Sequence, residues 1–192
     1  TGVSPLEYQA HRHFAHLGRN IRGTGAQIAA QMQSIDELRH AQTQIHAISN
    51  YNKYFDGLHD FAHMHDRVWY LSVPKSFFDD AVSAGPFEFF TAISFSFEYV
   101  LTNLLFVPFM SGAAYNGDLA TVTFGFSAQS DESRHMTLGL EVIKFLLEQD
   151  EDNIPIVQHW IDKWFWRGYR LLSLVGMMMD YMLPKKIMSW KD

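Results

Sequence analysis

The 192-residue sequence predicts an all-α bundle, and three observations support that prediction. Apolar residues recur with helical spacing, and no stretch alternates with period two for long. Proline and glycine stand where helices begin and end. Aromatic residues make up 15% of the chain and, with nine methionines, supply a bulky apolar interior. We therefore expect a single helical domain over residues 1–192.

Proline and glycine punctuation divides the chain into six predicted helices: 4–22, 26–49, 56–71, 86–112, 118–147 and 155–182. The first begins with Ser4 and Pro5, an N-cap followed by an N1 proline, and ends before Gly23 and Gly25. The second mixes apolar with polar positions, so its inward face should be partly polar. The third is the least regular and should end before Pro74.

The three later helices are separated by equally clear breaks. Gly85 and Pro86 begin the fourth helix, and the segment 112–117 predicts a turn after it. An acidic linker at 148–153 separates the fifth helix from the sixth, which Pro184 ends. The second half of the chain is therefore expected to be as helical as the first.

Composition excludes several classes of function. The net charge is −6 and no run of like charges occurs, so no nucleic-acid partner is expected. The absence of cysteine excludes a disulfide framework, an iron–sulfur cluster, a thiolate zinc site and a cysteine nucleophile. The apolar stretch 87–110 contains Glu88 and Glu98, which would be costly in lipid. It therefore predicts a buried helix, and no membrane partner is expected.

One five-residue pattern occurs twice, as Asp-Glu-Leu-Arg-His at 36–40 and Asp-Glu-Ser-Arg-His at 131–135. A chain of this composition would almost never contain the pattern twice by chance. Residues three apart lie on one face of a helix, so each pentad presents a carboxylate and an imidazole to a common point. This arrangement suits a metal ion.

Two further glutamates lie in register with these pentads. Glu7 precedes Glu37 by 30 residues, and the midpoint falls in the predicted turn between the first two helices. Glu98 precedes Glu132 by 34 residues, and the midpoint falls in the predicted 112–117 turn. In an antiparallel pair of helices, two residues that are equally far from the connecting turn lie at the same level. Four helices should therefore converge on six metal ligands: Glu7, Glu37, His40, Glu98, Glu132 and His135.

This ligand set, with a Glu from each of two helices and a Glu-x-x-His from each of two others, is typical of ferritin-like di-iron or di-manganese carboxylate proteins. We expect a ferritin-like four-helix core with a carboxylate-bridged di-iron or di-manganese site, plus additional helices. The other pentad residues should orient the ligating histidines across the site and balance the charge: Asp36, Arg39, Asp131 and Arg134. Surface ion pairs and structural histidines are the alternative for either pentad alone.

The stretch from Gln129 through the second pentad, and on through Trp-Phe-Trp-Arg-Gly-Tyr at 164–169 and Met-Met-Met-Asp-Tyr at 177–181, resembles the large (α) subunit of bacterial multicomponent phenol hydroxylases. These belong to the toluene, phenol and methane monooxygenase superfamily. The resemblance extends over essentially the whole chain. It implies an internal fragment of a longer subunit, iron at the six ligands, and catalytic roles for Thr102, Asn103 and Gln129.

Thr102 lies four residues after Glu98, on the same helix face, where its hydroxyl could pass a proton. A hydrogen bond to its own helix is the alternative. Gln44, one turn after His40, matches a position at which aromatic-hydroxylating members carry Gln and the methane enzymes carry Cys. A substrate pocket is expected on the apolar side of the metals, with ordinary core packing as the alternative for its predicted lining: Val3, Ala10, Gln44, Phe77, Phe97 and Phe106.

The resemblance implies a cytoplasmic oxygenase that inserts one atom of O₂ into an aromatic ring and converts phenol to catechol. Electrons must arrive from elsewhere, because the chain has neither a Gly-x-Gly-x-x-Gly motif nor cysteine. The resemblance implies that they come from NADH through a separate flavin and iron–sulfur reductase. β and γ hydroxylase subunits and a small regulatory protein would complete the enzyme. The α subunit of a related toluene or benzene monooxygenase is the alternative.

Two other functions use the same ligand set. A ferritin-like iron store would have little use for a phenylalanine-lined pocket. A radical-generating di-iron or di-manganese subunit would need a tyrosine near a ligand, whereas Tyr8 and Tyr99 are expected to point off the ligand face.

Six of the remaining histidines form two groups. His59, His63 and His65 form the densest cluster, which indicates either a solvated helix or a second metal site, the former being favoured. The other group should be structural or exposed: His11, His13 and His16.

Overall fold

The computed structural model describes residues 2–56, 63 and 67–176, and within them the regular elements are helices. They are, in chain order, α1 (Ser4–Gly18), α2 (Thr24–Tyr51), α3 (Trp69–Ser83), α4 (Pro86–Phe90), a π-helix (Thr91–Thr102), α5 (Asn103–Tyr115), α6 (Leu119–Gln149) and α7 (Asn153–Gly176). The predicted all-α fold is confirmed. In the described ranges, no helix is long and apolar enough to cross a bilayer.

The first antiparallel pair consists of α1 and α2. A Cβ at Gly18 would lie 2.8 Å from the Cβ of Ala30, so the glycine allows the two helices to pack closely. Gly23 then turns the chain with a φ of 103°, a conformation that favours glycine. α1 ends earlier than predicted, because the Asn20 N–H turns back to the Leu17 carbonyl at 2.9 Å.

The second pair consists of α6 and the continuous rod formed by α4, the π-helix and α5. The sequence predicted one α-helix where the rod changes to the wider π form over twelve residues. The rod also extends to Tyr115, beyond the predicted end at residue 112. Asp118 then caps α6 by accepting a hydrogen bond from the Thr121 N–H at 3.1 Å.

The π-helix and α6 approach each other most closely at Gly139. A Cβ placed there would lie 2.6 Å from the carbonyl carbon of Ser94 and 2.7 Å from its oxygen. Only glycine allows this contact, because the opposing atoms belong to backbone. The contact holds the π-helix against α6 two turns from Glu132.

Helices α3 and α7 add aromatic side chains to the core. Pro74 was predicted to break the chain, and that prediction was wrong: α3 runs through it. The helix persists because it buries Leu71, Phe77 and Phe78, whose packing outweighs the backbone hydrogen bond that proline removes. Phe77 lies with its ring centroid 5.4 Å from that of Trp164 in α7.

Parts of two predicted helices fall outside the described residues. The predicted 56–71 helix lies mostly in the 57–66 region, of which only residue 63 is described. The predicted end of the last helix near residue 182 also lies beyond the described range, within which α7 extends to Gly176.

Candidate metal centre

Side chains from α1, α2, the π-helix and α6 meet inside the four-helix core. The structure brings together all six residues that the spacing predicted: Glu7, Glu37, His40, Glu98, Glu132 and His135. Five are buried, and the side chain of Glu7 is 12% exposed. The register argument from the two turns therefore places both lone glutamates correctly.

Glu37 lies at the middle of this cluster. Its Oε2 is 3.6 Å from Nδ1 of His40, and its Oε1 is 3.4 Å from Nδ1 of His135. The cluster contains two groups of ligand atoms, each lying within 4.8 Å of one another: Glu7, Glu37 and His40, and Glu37, Glu98 and His135. Because Glu37 belongs to both groups, it stands where a carboxylate can bridge two ions.

The second histidine also has a carboxylate from its own pentad beside it. Oε2 of Glu132 lies 3.7 Å from Nδ1 of His135, on the nitrogen that faces the cluster. His40 has an equivalent neighbour in Glu7, whose Oε2 is 3.6 Å from its Nδ1. Each imidazole therefore directs Nδ1 into a group of carboxylates.

Aspartates from the opposite pentads hold the other nitrogen of each ring. Nε2 of His40 lies 3.0 Å from Oδ2 of Asp131, and Nε2 of His135 lies 3.4 Å from Oδ2 of Asp36. An ionised carboxylate only accepts hydrogen bonds, so each Nε2–H donates, and Nδ1 carries the lone pair when the ring is neutral. The structure thus shows the reach across the site that the pentads predicted.

Two arginines neutralise these aspartates. Arg134 donates to Asp36 at 2.8 Å and to Asp131 at 2.6 Å. Arg39 donates to Asp131 and lies 3.7 Å from Asp36. Burial raises the pKa of Asp36, but the bond and the charge of Arg134 outweigh it, and the net pKa is lowered. Asp36 is therefore an ionised acceptor at neutral pH.

Three buried atoms of the cluster have no hydrogen-bond partner among the described residues: Nδ1 of His40, Nδ1 of His135 and Oε2 of Glu132. Buried polar atoms nearly always have a partner. Four carboxylates gathered in one buried place also repel each other unless cations or protons intervene. Oxygen and imidazole donors suit iron or manganese. The residues present therefore fit a pair of such metal ions.

Two of the carboxylates show how strongly burial and like charge in the cluster favour protons. Burial raises the pKa of Glu37 well above its ordinary value, and the charges of Glu7 and Glu132 raise it further. Burial, followed by the charge of Glu132, likewise raises the pKa of Glu98. Glu7 differs: burial raises its pKa, but interactions with His40 and Glu37 outweigh burial and lower it.

Both imidazoles show the complementary effect. Burial lowers the pKa of His40, but the Glu7 carboxylate outweighs it, so that the net pKa is raised. Burial also lowers the pKa of His135, but the Glu132 and Glu98 carboxylates outweigh burial, so that the net pKa of His135 is raised as well. Metal ligands must lose their protons, so binding at this cluster is coupled to proton release.

Gln33 is a polar residue of the site that the sequence interpretation missed. Its side chain is buried, and Nε2 lies 3.1 Å and 3.0 Å from the two oxygens of Glu98. The signal was present, since Gln33 lies one turn before Glu37 on the same face of α2. Its partner is 65 residues away, which helical spacing alone does not reveal.

The residues predicted to act in catalysis have different surroundings. Thr102 is buried, and its hydroxyl donates to the carbonyl of Phe97 at 3.1 Å, so it bonds to its own helix in this structure. Gln129 is partly buried on α6, three residues before Glu132. Asn103 begins α5, and its side chain lies outside the described part. Their catalytic roles stay predictions.

The predicted pocket residues are partly brought together. Ala10 and Phe77 belong to the buried core, and Phe97 packs against it with its ring centroid 5.4 Å from that of Phe77. Gln44 keeps a buried Nε2 without a hydrogen-bond partner among the described residues. Val3 precedes α1, and Phe106 is partly buried on α5. That these six residues line a substrate pocket stays a prediction.

The three other predicted histidines of α1 contact neighbouring groups of the protein. His11 contacts the Ser34 carbonyl at 2.8 Å and so joins α1 to α2. Burial lowers the pKa of His13 to about 4, although Asp79 lies 4.0 Å away. His16 accepts a hydrogen bond from Arg19. Of the predicted His59, His63 and His65 cluster, two members lie outside the described residues.

Tyrosine positions bear on the radical-generating alternative. Tyr8 and Tyr99 are 50% and 47% exposed, as expected for residues that follow a ligand directly and point off its face. Tyr99 stacks on Phe95 instead, with 5.4 Å between ring centroids. Neither ring is directed into the cluster.

Comparison with known proteins identifies the family of the chain. Residues 1–150 match the family model described as Methane/Phenol/Alkene Hydroxylase. The chain belongs to this hydroxylase family. The family is one of di-iron hydroxylases, which agrees with the ligand groups found here.

Two hydroxylase components show how far the similarity extends. The chain is 79% identical over all 192 residues to DmpN, the oxygenase component of phenol 2-monooxygenase from Pseudomonas sp. (strain CF600). It is 32% identical over 165 residues, or 82% of its length, to the oxygenase α subunit of the alkene monooxygenase system of Xanthobacter autotrophicus (strain ATCC BAA-1158 / Py2). It spans 37% of the first relative and 32% of the second.

Solved hydroxylase structures confirm the fold. A xenon-pressurised phenol hydroxylase from Pseudomonas sp. OX1 superposes with a TM-score of 0.91 at 79% identity, covering 99% of this chain and 38% of that one. Toluene 4-monooxygenase with toluene bound superposes with a TM-score of 0.82 at 18% identity, covering 92% of this chain and 61% of that one. The second similarity concerns the fold alone.

Proposed function

We propose that this chain is the metal-binding domain of the large subunit of a multicomponent phenol hydroxylase, which converts phenol to catechol. The observation that carries the proposal is the buried cluster of four carboxylates and two imidazoles around Glu37. The 79% identity to a phenol 2-monooxygenase component supports phenol as the substrate. Residues 1–192 would form one domain of a longer subunit.

The six ligand residues divide into two ends that share Glu37. Glu7 and His40 serve one end, and Glu98, Glu132 and His135 serve the other. Two iron ions held there would supply the redox chemistry that activates O₂. Asp36 and Asp131 keep a proton on each Nε2, so that each Nδ1 is available as a ligand.

Three polar residues are proposed to handle protons beside the metals: Thr102, Asn103 and Gln129. The Thr102 hydroxyl now donates to Phe97, so carrying a proton requires it to rotate away from that carbonyl. If the hydroxyl alternated between its bond to Phe97 and a bond on the side of the metals, Oγ1 could accept a proton on one side and donate one on the other.

A flat, mostly apolar phenol ring suits an apolar wall. The proposed wall consists of Val3, Ala10, Gln44, Phe77, Phe97 and Phe106. These side chains would bury the ring and orient its edge towards the ligand cluster. Attack next to the existing hydroxyl group would give catechol, and the wall would decide which ring carbon faces the metals.

Electrons must reach the site from outside the chain. We propose NADH as their source, with a flavin and iron–sulfur reductase, β and γ subunits and a small regulatory protein as partners in the cytoplasm. The relatives named as oxygenase components support a multicomponent enzyme. NADH-driven turnover by the large subunit alone, with no reductase added, would contradict this scheme.

An oxygen-18 assay of the complete enzyme tests the proposed reaction. With ¹⁸O₂ and phenol, we expect one labelled oxygen per catechol, and with H₂¹⁸O none. Label from water, or no aromatic product, would contradict the monooxygenase. Toluene and benzene assayed in parallel distinguish the alternative substrates, because a preference for either would contradict phenol as the substrate.

The proposed wall has its own test. Phe106→Ala and Ala10→Leu should change the product distribution among ring positions while leaving iron content unchanged. An exposed phenylalanine of α6 offers a matched control, Phe126→Ala, which should change neither. Products indifferent to both wall substitutions would contradict the pocket assignment.

A further inference from the structure

Two lone glutamates serve the cluster, but their surroundings differ. Glu98 is buried and accepts hydrogen bonds from Gln33 on both of its oxygens, at 3.1 and 3.0 Å. Glu7 is partly exposed, and its contact with His40 at 3.6 Å is longer than a hydrogen bond. One end of the cluster therefore has a carboxylate that is ordered by hydrogen bonds from the protein.

Gln33 is itself held in place. It is 2% exposed, and its Oε1 accepts a hydrogen bond from the Ser94 hydroxyl at 3.5 Å. Ser94 is fully buried, and its carbonyl group packs against Gly139 so closely that no other residue fits there. The amide of Gln33 is thus fixed between α2 and the π-helix that carries Glu98.

This arrangement is compatible with metal binding. A carboxylate offers about four lone-pair positions, and a side-chain amide uses only one on each oxygen that it reaches. Glu98 therefore retains acceptor positions for an ion while Gln33 holds it. The amide carries no charge, so it orients the carboxylate without competing with a cation for it.

We propose that Gln33 is a positioning residue that orients Glu98 for the metal at the His135 end of the cluster. The inference rests on the proposed function, because it requires two metal ions at the site. Removing the amide should weaken metal binding at the end shared by Glu98 and His135. The other end, formed by Glu7 and His40, should keep most of its affinity, because Gln33 reaches that end only through the shared Glu37.

Gln33→Met provides the sharpest variant. Methionine has nearly the length and volume of glutamine but no N–H group, so a residue that merely fills space would be replaced without effect. Gln42→Met is the matched control, since Gln42 is an exposed glutamine on the same helix. Ser94→Ala is a milder second variant, which removes only the bond that fixes Gln33.

The complete hydroxylase, stripped of iron, would be titrated anaerobically with Mn(II) and followed by electron paramagnetic resonance. Wild type and Gln42→Met should bind two ions and show an exchange-coupled spectrum. In Gln33→Met the first ion should bind normally and the second about 10- to 100-fold more weakly. An isolated six-line Mn(II) spectrum should therefore persist at intermediate metal concentrations.

Each outcome decides the question. Wild-type affinity for both ions in Gln33→Met, or equal weakening of both, would overturn the positioning role. If Gln33→Met fails to assemble, Ser94→Ala decides: selective weakening of the second ion supports the role, and wild-type binding overturns it. Fewer than two ions in the wild type would contradict the proposed function and this inference with it. Two ions there and no effect of Gln33→Met contradict the inference alone.

Discussion

The two hairpins of the core offer the same ligand chemistry from different backbones. In the first hairpin, α1 and α2, Glu7 lies on a regular α-helix and keeps some exposure. In the second, Glu98 lies on a π-helix, is buried and accepts hydrogen bonds from Gln33. Chemically equivalent side chains therefore have different surroundings, since Gln33 orders Glu98 whereas Glu7 keeps some exposure.

The largest differences, in the amount of bound iron, should come from removing the ligands one at a time. Glu37→Ala should abolish binding of both irons, because Glu37 belongs to both ligand groups. Glu7→Ala, Glu98→Ala and His135→Ala should each remove at least one iron. The measurement is iron per large subunit after anaerobic loading, with Glu141→Ala, an exposed glutamate of α6, as control. Full retention of two irons after Glu98→Ala and His135→Ala would end the two-metal model.

The packing of the second hairpin offers the next test. Gly139→Ala should destabilise the subunit by about 3 kcal/mol, because the new Cβ would collide with the Ser94 backbone. At Gly125 the added Cβ meets only the flexible side chain of Met110, and alanine favours helix, so Gly125→Ala should be much milder. Thermal unfolding midpoints of the two variants make the comparison. Equal effects would show that the π-helix does not depend on close contact with α6.

A smaller difference, in metal affinity, is expected between variants of the two crossed aspartates. Asp131→Ala leaves Nε2 of His40 without its 3.0 Å acceptor, and Asp36→Ala removes the longer 3.4 Å contact of His135. Loss of such a partner typically weakens metal binding about 10- to 100-fold. We expect Asp131→Ala near the upper end and Asp36→Ala near the lower end, measured by competition with a chelator. The reverse order would contradict the geometry.

The smallest effect concerns how the two long helices begin. α6 is capped by the Asp118 side chain, whereas Gly23 gives α2 no side-chain cap. Burial raises the pKa of Asp118, but bonds from Thr121 and Tyr51 outweigh it and lower the net pKa. The cap therefore stabilises at pH values above the ordinary aspartate range and is lost as pH falls through the lowered pKa.

Asp118→Ala should accordingly reduce stability by about 1 kcal/mol near neutral pH. Between wild type and variant, the difference in unfolding midpoint should shrink as pH falls below about 4. Gly23→Ala is unsuitable as a control because of its φ of 103°, so Thr123→Ala on the exposed side of α6 serves instead. A difference that stays constant with pH would contradict a role for the ionised cap.

Much of the site follows from the sequence because its information is local. The doubled pentads fix two ligands each through helical spacing, and the turn midpoints align Glu7 with Glu37 and Glu98 with Glu132. Even the crossing of Asp36 and Asp131 followed from residue types and spacing. These features depend on helix geometry that any amphipathic helix shares.

Other features depend on contacts between distant parts of the chain. The π-helix is stabilised where Gly139 meets Ser94, and no local pattern in 91–102 marks it. From the sequence alone Pro74 predicts a helix break, because the burial of its helix in an aromatic core depends on distant residues. The wider π turn also explains Thr102, whose hydroxyl reaches the carbonyl five residues earlier at Phe97.

We also expect the crossed histidine–aspartate bonds to affect when the protein can bind metal during synthesis. The first hairpin leaves the ribosome with Glu7, Glu37 and His40, while the acceptor for His40 lies 91 residues further along the chain. Until α6 has been made and docked, Nε2 of His40 lacks this acceptor. We expect the nascent chain to hold iron weakly, so that tight capture of the metal is delayed until both hairpins have assembled.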